Sequence, residues 1–178
     1  MTRDAITAAF ESYQVVKASN IRGTVHTSTR RQHALLRAVA RRPRQLLLAN
    51  HLALREVTTD AVMDEIERFA SDGWRPREEI VAHMRDWLAE RDPPLSAAAH
   101  RRGALSDSLI WGHPALIRRP ADQRWETRTD TLHRAADTVF DIALPAPQDA
   151  VRELVVAHLR AATDRPRAAM SPGGLASA

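Results

Sequence analysis

The apolar residues of this 178-residue chain recur at helical rather than strand spacing, and that periodicity constrains its fold more than any other feature. Over residues 77–90, Ile80, Val81, Met84, Trp87 and Leu88 form one apolar stripe. Residues 58–71 repeat the pattern with Val62, Ile66 and Phe69, with Thr58 or Thr59 as N-cap and Asp72-Gly73 as the stop. Ile6, Ala9, Phe10, Tyr13 and Val16 do the same over residues 2–18, followed by a loop over 20–27. Ser28 or Thr29 caps a helix reaching about residue 42. Pro43 then ends it, kinks it or opens the next helix, and residues 45–57 continue in helical residues.

Past Asp92-Pro93-Pro94 the pattern weakens. Residues 95–102 and 104–111 are short helix candidates, and 112–126 reads as an ordered loop with a turn or two of helix. Residues 129–144 and 148–163 read as two helices hinged at Pro145-Ala-Pro147. No stretch alternates as a strand would. The fold expected is all-α, an irregular helical bundle of about six to eight helices. It forms one domain over 1–164, with a basic segment 12–55, acidic helices 56–92 and a C-terminal helical hairpin 129–163. The tail 165–178 has no pattern able to bury anything and is expected to be disordered.

With no cysteine, disulfides and thiolate metal sites are excluded. The opening residues lack the apolar core of a signal peptide, and runs such as residues 46–49 are too short to span a bilayer. A soluble cytoplasmic protein with no membrane partner is the expectation.

Lys17 is the only lysine among 26 basic residues. Arginine codons are GC-rich, so arginine content alone says little, whereas its distribution is informative. Residues 12–55 hold nine basic residues and no Asp or Glu, while residues 56–92 carry a net charge of −6. Such segregation bears on partners rather than on fold. Arg30, Arg37 and Arg41 fall within about 40° of one another on a helix. Guanidinium forks suit phosphate oxygens, so these three, helped by Arg31, Arg42 and Arg44, are candidate nucleic-acid contacts. The competing reading docks the same stripe on Asp60, Asp64 and Glu67, which share one face of the next helix, within the chain or across a dimer.

Other chemistry finds little support. A helix-turn-helix centred on Asp72-Gly73 places Phe69 where a small residue belongs and Glu79 where a buried aliphatic belongs. The aromatics lie far in sequence from the arginines, which leaves single-strand stacking without a platform. Lys17 follows no glycine-rich turn, which removes a phosphate-binding loop, and no cofactor is expected. Asp130, His133, Asp137 and Asp141, with Glu126 in line, form a metal-like face, but Leu132, Ala136, Val139 and Ala143 opposite them point that face at water. Glu79 and His83 sit four apart, yet His83 and His158 read as packed histidines. Trp111 and His113 flank a glycine and could line a pocket.

The leading expectation is therefore a small non-enzymatic accessory or regulatory protein that binds nucleic acid through segment 12–55. Helices 58–91 would dimerise or recruit a protein partner. The alternatives are a helical interaction module with self-complementary faces, and a small-ligand or metal-binding bundle.

Overall fold

The structure, a computed structural model, describes residues 2–20, 24–52, 54–93, 110, 113–122, 125, 131–141 and 143–163. In chain order its elements are α1 (Arg3–Glu11), β1 (Val15–Ser19), β2 (Val25–Thr29), α2 (Arg30–Leu52), α3 (Thr59–Phe69), β3 (Arg75–Pro76), α4 (Arg77–Arg91), β4 (Leu116–Pro120) and β5 (Thr131–Ala135). A 3-10 turn over Ala136–Thr138 and a last helix, α5 (Pro147–Thr163), complete it. The expected tail 165–178 and the helix candidates at 95–109 lie outside the described residues.

The all-α expectation is overturned. Five strands form one antiparallel sheet in the order β2-β1-β4-β5-β3, and five α-helices are present among the described residues rather than six to eight. β1 and β2 replace the end of the first expected helix and the loop after it, and pair from Val15↔Thr29 to Ser19↔Val25. Both strands are rich in β-branched Val and Thr, whose stiff side chains suit a pleated surface. β4 replaces an expected loop. β5 replaces the start of the helix expected over 129–144, so the 129–163 hairpin keeps only its second arm, α5.

Two of the helical readings that hold, α2 and α3, carry side-chain caps. Thr29 accepts from the Gln32 amide at 3.2 Å while Gln32 Oε1 accepts from the Thr29 amide at 3.1 Å, a reciprocal capping box at the head of α2. Of the two candidate caps for α3, Thr58 does the work, accepting from the Ala61 amide. Pro43 neither ends α2 nor opens a new helix; α2 runs through it.

Two apolar clusters lie on the two faces of the sheet. One gathers Leu48 and Leu52 of α2, Val62, Met63 and Ile66 of α3, and Ile80, Met84 and Leu88 of α4 around Leu116 and Ala135. The other holds Val16, Ala18, Ile117, Ala136 and Phe140, with Tyr13 and Trp74 packed against it. Leu116 and Ile117, adjacent in β4, enter opposite clusters because strand side chains alternate. α3, β3 and α4 thus form a helix–strand–helix unit closed by the β4–β5 hairpin, with β3 pairing at Arg75↔His133 and Pro76↔Leu132. Asp92, fully buried, accepts the Arg55 and Glu56 amides at 2.8 and 3.0 Å and so ties the end of α4 to the loop between α2 and α3.

Candidate functional site

The arginine-rich helix α2 turns its expected stripe inward. Arg37 pairs with Glu67 of α3 and with Asp137 in the turn after β5. Arg41 reaches Asp64 at 2.7 Å, Glu67 at 3.1 Å and Asp60 at 3.4 Å. The acidic face of α3 therefore meets α2 of the same chain. Arg30 donates to the Ser12 and Tyr13 carbonyls, which fixes the tight turn between α1 and β1 where Tyr13 takes a φ of 55°. Arg44 is half-buried, and its Nε and Nη2 are buried donors without a partner. Arg31 pairs with Glu153 of α5 at the surface, and Arg42 is exposed. Of the six candidate phosphate contacts, then, Arg30, Arg37 and Arg41 are engaged within the fold, and Arg31 and Arg42 face outward.

Charge around this network follows burial. Glu67 is raised above the usual carboxylate range by burial, against the pull of Arg37 and Arg41. Burial tends to lower Arg41, but the hydrogen bond it donates to Asp64 and the charges of Glu67 and Asp64 outweigh it, so its pKa rises. His113, fully buried with Arg44 nearby, is pushed down to about 3 by burial first and then by Arg44. It lies 4.0 Å from Glu67, and Trp111, with which it was expected to line a pocket, lies outside the described residues. His33, on α2 beside Phe140, is pushed down to about 4 by burial and by Arg37.

The helix expected to carry the metal-like face is replaced by β5 and the turn after it. His133 is buried in β5, where burial and Arg118 push it down to about 3, and Asp137 is turned to Arg37. Asp130 and Glu126 lie outside the described residues. Among the described residues no three His, Cys, Asp or Glu side chains cluster to hold a metal ion. Glu79 pairs with Arg75, and His83 instead meets Glu65 and stacks on Phe69 at 3.9 Å. His158, expected to be packed, is exposed on α5.

Sequence spacing gave no sign of the row that the sheet builds. Arg75 of β3, His133 of β5, Arg118 of β4 and Lys17 of β1 stand directly opposite one another in register, on one face. The row ends at Lys17, which lies in a strand and not near the end of a helix. Its Nζ donates to the Trp125 carbonyl at 2.9 Å and stands 5.4 and 5.5 Å from the ring centroids of Phe10 and Trp125. Those two rings are stacked, 4.2 Å apart and 8° from parallel. Beside them opens a cleft of about 160 Å³ lined by Phe10, Glu11, Tyr13, Arg119 and Trp125. Arg119 also lies 4.7 Å over Trp74, and both its Nε and the Trp125 Nε1 are buried donors without a partner. The aromatic platform missing from the sequence is thus assembled from residues more than a hundred positions apart.

No family model and no curated protein matches this chain. Among solved structures it is similar to the Streptomyces sahachiroi DNA glycosylase AlkZ, with a TM-score of 0.63 and 15% sequence identity. The likeness covers 89% of this chain and 42% of that chain. At that identity it is a likeness of fold, and the chain spans less than half the length of the protein it resembles. Among the described residues no helix is long and apolar enough to cross a membrane.

Proposed function

We propose that this protein binds nucleic acid, duplex DNA foremost, in an accessory or regulatory role. The observation that carries this reading is the helix–strand–helix unit closed by the β4–β5 hairpin, within an architecture shared over 89% of the chain with a protein that acts on DNA. Fold likeness alone does not transmit function, and the contacts proposed for it are the outward-facing arginines of α2.

Arg31 and Arg42 stand eleven residues apart on α2, within about 20° of each other and roughly 16 Å along the axis. Arg42 is exposed, and Arg31 shares an open salt bridge with Glu153, the two side chains being 56% and 44% exposed. An exposed pair of this kind holds its partner weakly and yields to a phosphate. Arg37 and Arg41, by contrast, hold α2 against α3. Binding to a generic duplex should fall with salt, and Arg31→Ala/Arg42→Ala should lower the slope of log K against log salt by about two units, since each phosphate contact contributes about 0.9. No binding to duplex DNA, single strand or RNA at low salt would end this reading.

A second reading, a protein-interaction module, is favoured by α5, where Val151, Val155 and Leu159 are exposed at four-residue spacing. It requires a concentration-dependent mass in sedimentation that Val155→Asp abolishes.

A further inference from the structure

We infer that the cleft between α1 and the β4–β5 hairpin is a binding site for a single unpaired nucleobase. The inference rests on the nucleic-acid reading above and names what this surface takes from the strand. Its volume of about 160 Å³ lies below the roughly 300–1,000 Å³ of pockets that enclose drug-sized ligands, so it admits one ring system. Three of its five lining residues, Phe10, Tyr13 and Trp125, are aromatic. Sequence-tolerant recognition of unpaired bases relies on stacking against such rings, with cations alongside to follow the backbone.

The polar groups suit the edge of a base. Arg119 Nε and Trp125 Nε1 are N–H donors on two of the lining residues, both buried and both without a partner. Buried donors are seldom left unsatisfied, and a ring nitrogen or exocyclic oxygen is the kind of acceptor they lack. Glu11, also at the wall, supplies a carboxylate for an exocyclic amine. Lys17 secures Trp125 through its carbonyl and stands beside both stacked rings.

The shape is built rather than accidental. Tyr13 occupies left-handed backbone space, which a bulky residue adopts only when its surroundings impose it. Arg30 holds it by donating to two successive carbonyls of the turn, those of Ser12 and Tyr13. The stripe arginine that the sequence assigned to phosphate therefore helps to shape the cleft.

The test is a titration of the full chain with four probes: a paired duplex, the same duplex with one bulged base, that duplex with an abasic residue at the bulge, and a nucleoside monophosphate. The bulged base should bind about tenfold more tightly than the abasic analogue, the effect of one stacked base. Trp125→Ala should bring that ratio to about one, and Trp125→Phe should restore most of it; circular dichroism verifies that both variants fold. Equal affinity for bulged and abasic duplexes, or a ratio that Trp125→Ala leaves intact, overturns the base site while leaving duplex binding standing. If no strand binds but the monophosphate does, and Trp125→Ala removes it, the base site stands and the nucleic-acid reading falls. Absence of binding to all four probes removes both.

Discussion

Arg37 and Glu67 meet at 3.0 Å between α2 and α3, with the arginine side chain 7% exposed and the glutamate 18%. A pair so enclosed has surrendered most of its hydration, and removing one member leaves the other charge stranded. Arg41 still reaches Glu67 at 3.1 Å and Asp137 is open to water, so both acids keep some compensation when Arg37 is lost. Arg37→Ala should therefore destabilise the protein by about 3 kcal/mol, at the lower end for a broken buried pair. Arg37→Met/Glu67→Leu, which removes both charges at similar volume, should cost clearly less. Urea denaturation of the three proteins checks this; a double variant no better than Arg37→Ala would refute the pair as the source of the loss.

Much of this arrangement is legible in the sequence and some of it is not. The face shared by Asp60, Asp64 and Glu67 follows from helical spacing, and so does the arginine stripe that meets it. The cores of α3 and α4 follow for the same reason: Val62, Ile66, Ile80, Met84 and Leu88 all lie buried where the period places them. The strands escape because they are five residues or fewer and because β4 is buried on both faces, which removes the alternation that marks a half-buried strand. Leu132 of β5 and Ala136 in the turn after it fall at helical spacing by coincidence, while pairing with β4 on one side and β3 on the other decides the structure. The cleft is invisible for a related reason: Phe10 and Trp125 meet only once β1 has paired with β4.

Three buried histidines set an acid limit on stability. Burial holds His33 down to about 4 and His113 and His133 down to about 3, against 6.5 when unfolded. Below 6.5 the unfolded chain takes up protons that the folded chain refuses, so stability is full above that pH and falls as pH drops toward 4. Each histidine contributes at most about 1.4 kcal/mol per pH unit, so the three together give roughly 4. Glu67, raised by burial, acts in the opposite sense and softens the fall. The urea midpoint should be level from pH 8 to 7 and decline between 6.5 and 4. His33→Gln should remove about a third of that slope, and a midpoint independent of pH over the window would exclude the mechanism.

Asp92 is a single buried carboxylate on which a chain connection depends. It accepts the amides of Arg55 and Glu56, and no solvent reaches it to replace either bond. Asp92→Ala should cost about 3 kcal/mol, the range for hydrogen bonds to a charged group left unmade in the interior. Asp92→Asn keeps one carbonyl oxygen to accept and should lose about 1 kcal/mol. Amide exchange at Arg55 and Glu56 should quicken in Asp92→Ala well before global unfolding; unchanged exchange at both positions would show that the connection is held by other contacts.

Pro43 stands inside α2, between its contacts with the two apolar clusters. His33 packs edge-on against Phe140 at 6.1 Å on the side of one cluster, while Leu48 and Leu52 lie in the other. Proline lacks the amide that would donate to the Val39 carbonyl, and its ring crowds that carbonyl, a cost of about 3 kcal/mol in a helix interior. It also stiffens the unfolded chain, which returns up to about 1 kcal/mol. Pro43→Ala should therefore raise stability by about 2 kcal/mol if the two halves of α2 already share one axis. A bend at the proline would make Leu48 and Leu52 depend on it, and straightening would then pull them from the cluster with Met63 and Met84. The net balance favours stabilisation, since a capping box starts the helix and Arg41, two residues before the proline, is anchored by three carboxylates. A rise in the urea midpoint of Pro43→Ala confirms that balance, and a fall identifies the bend as the device that lets one helix serve both clusters.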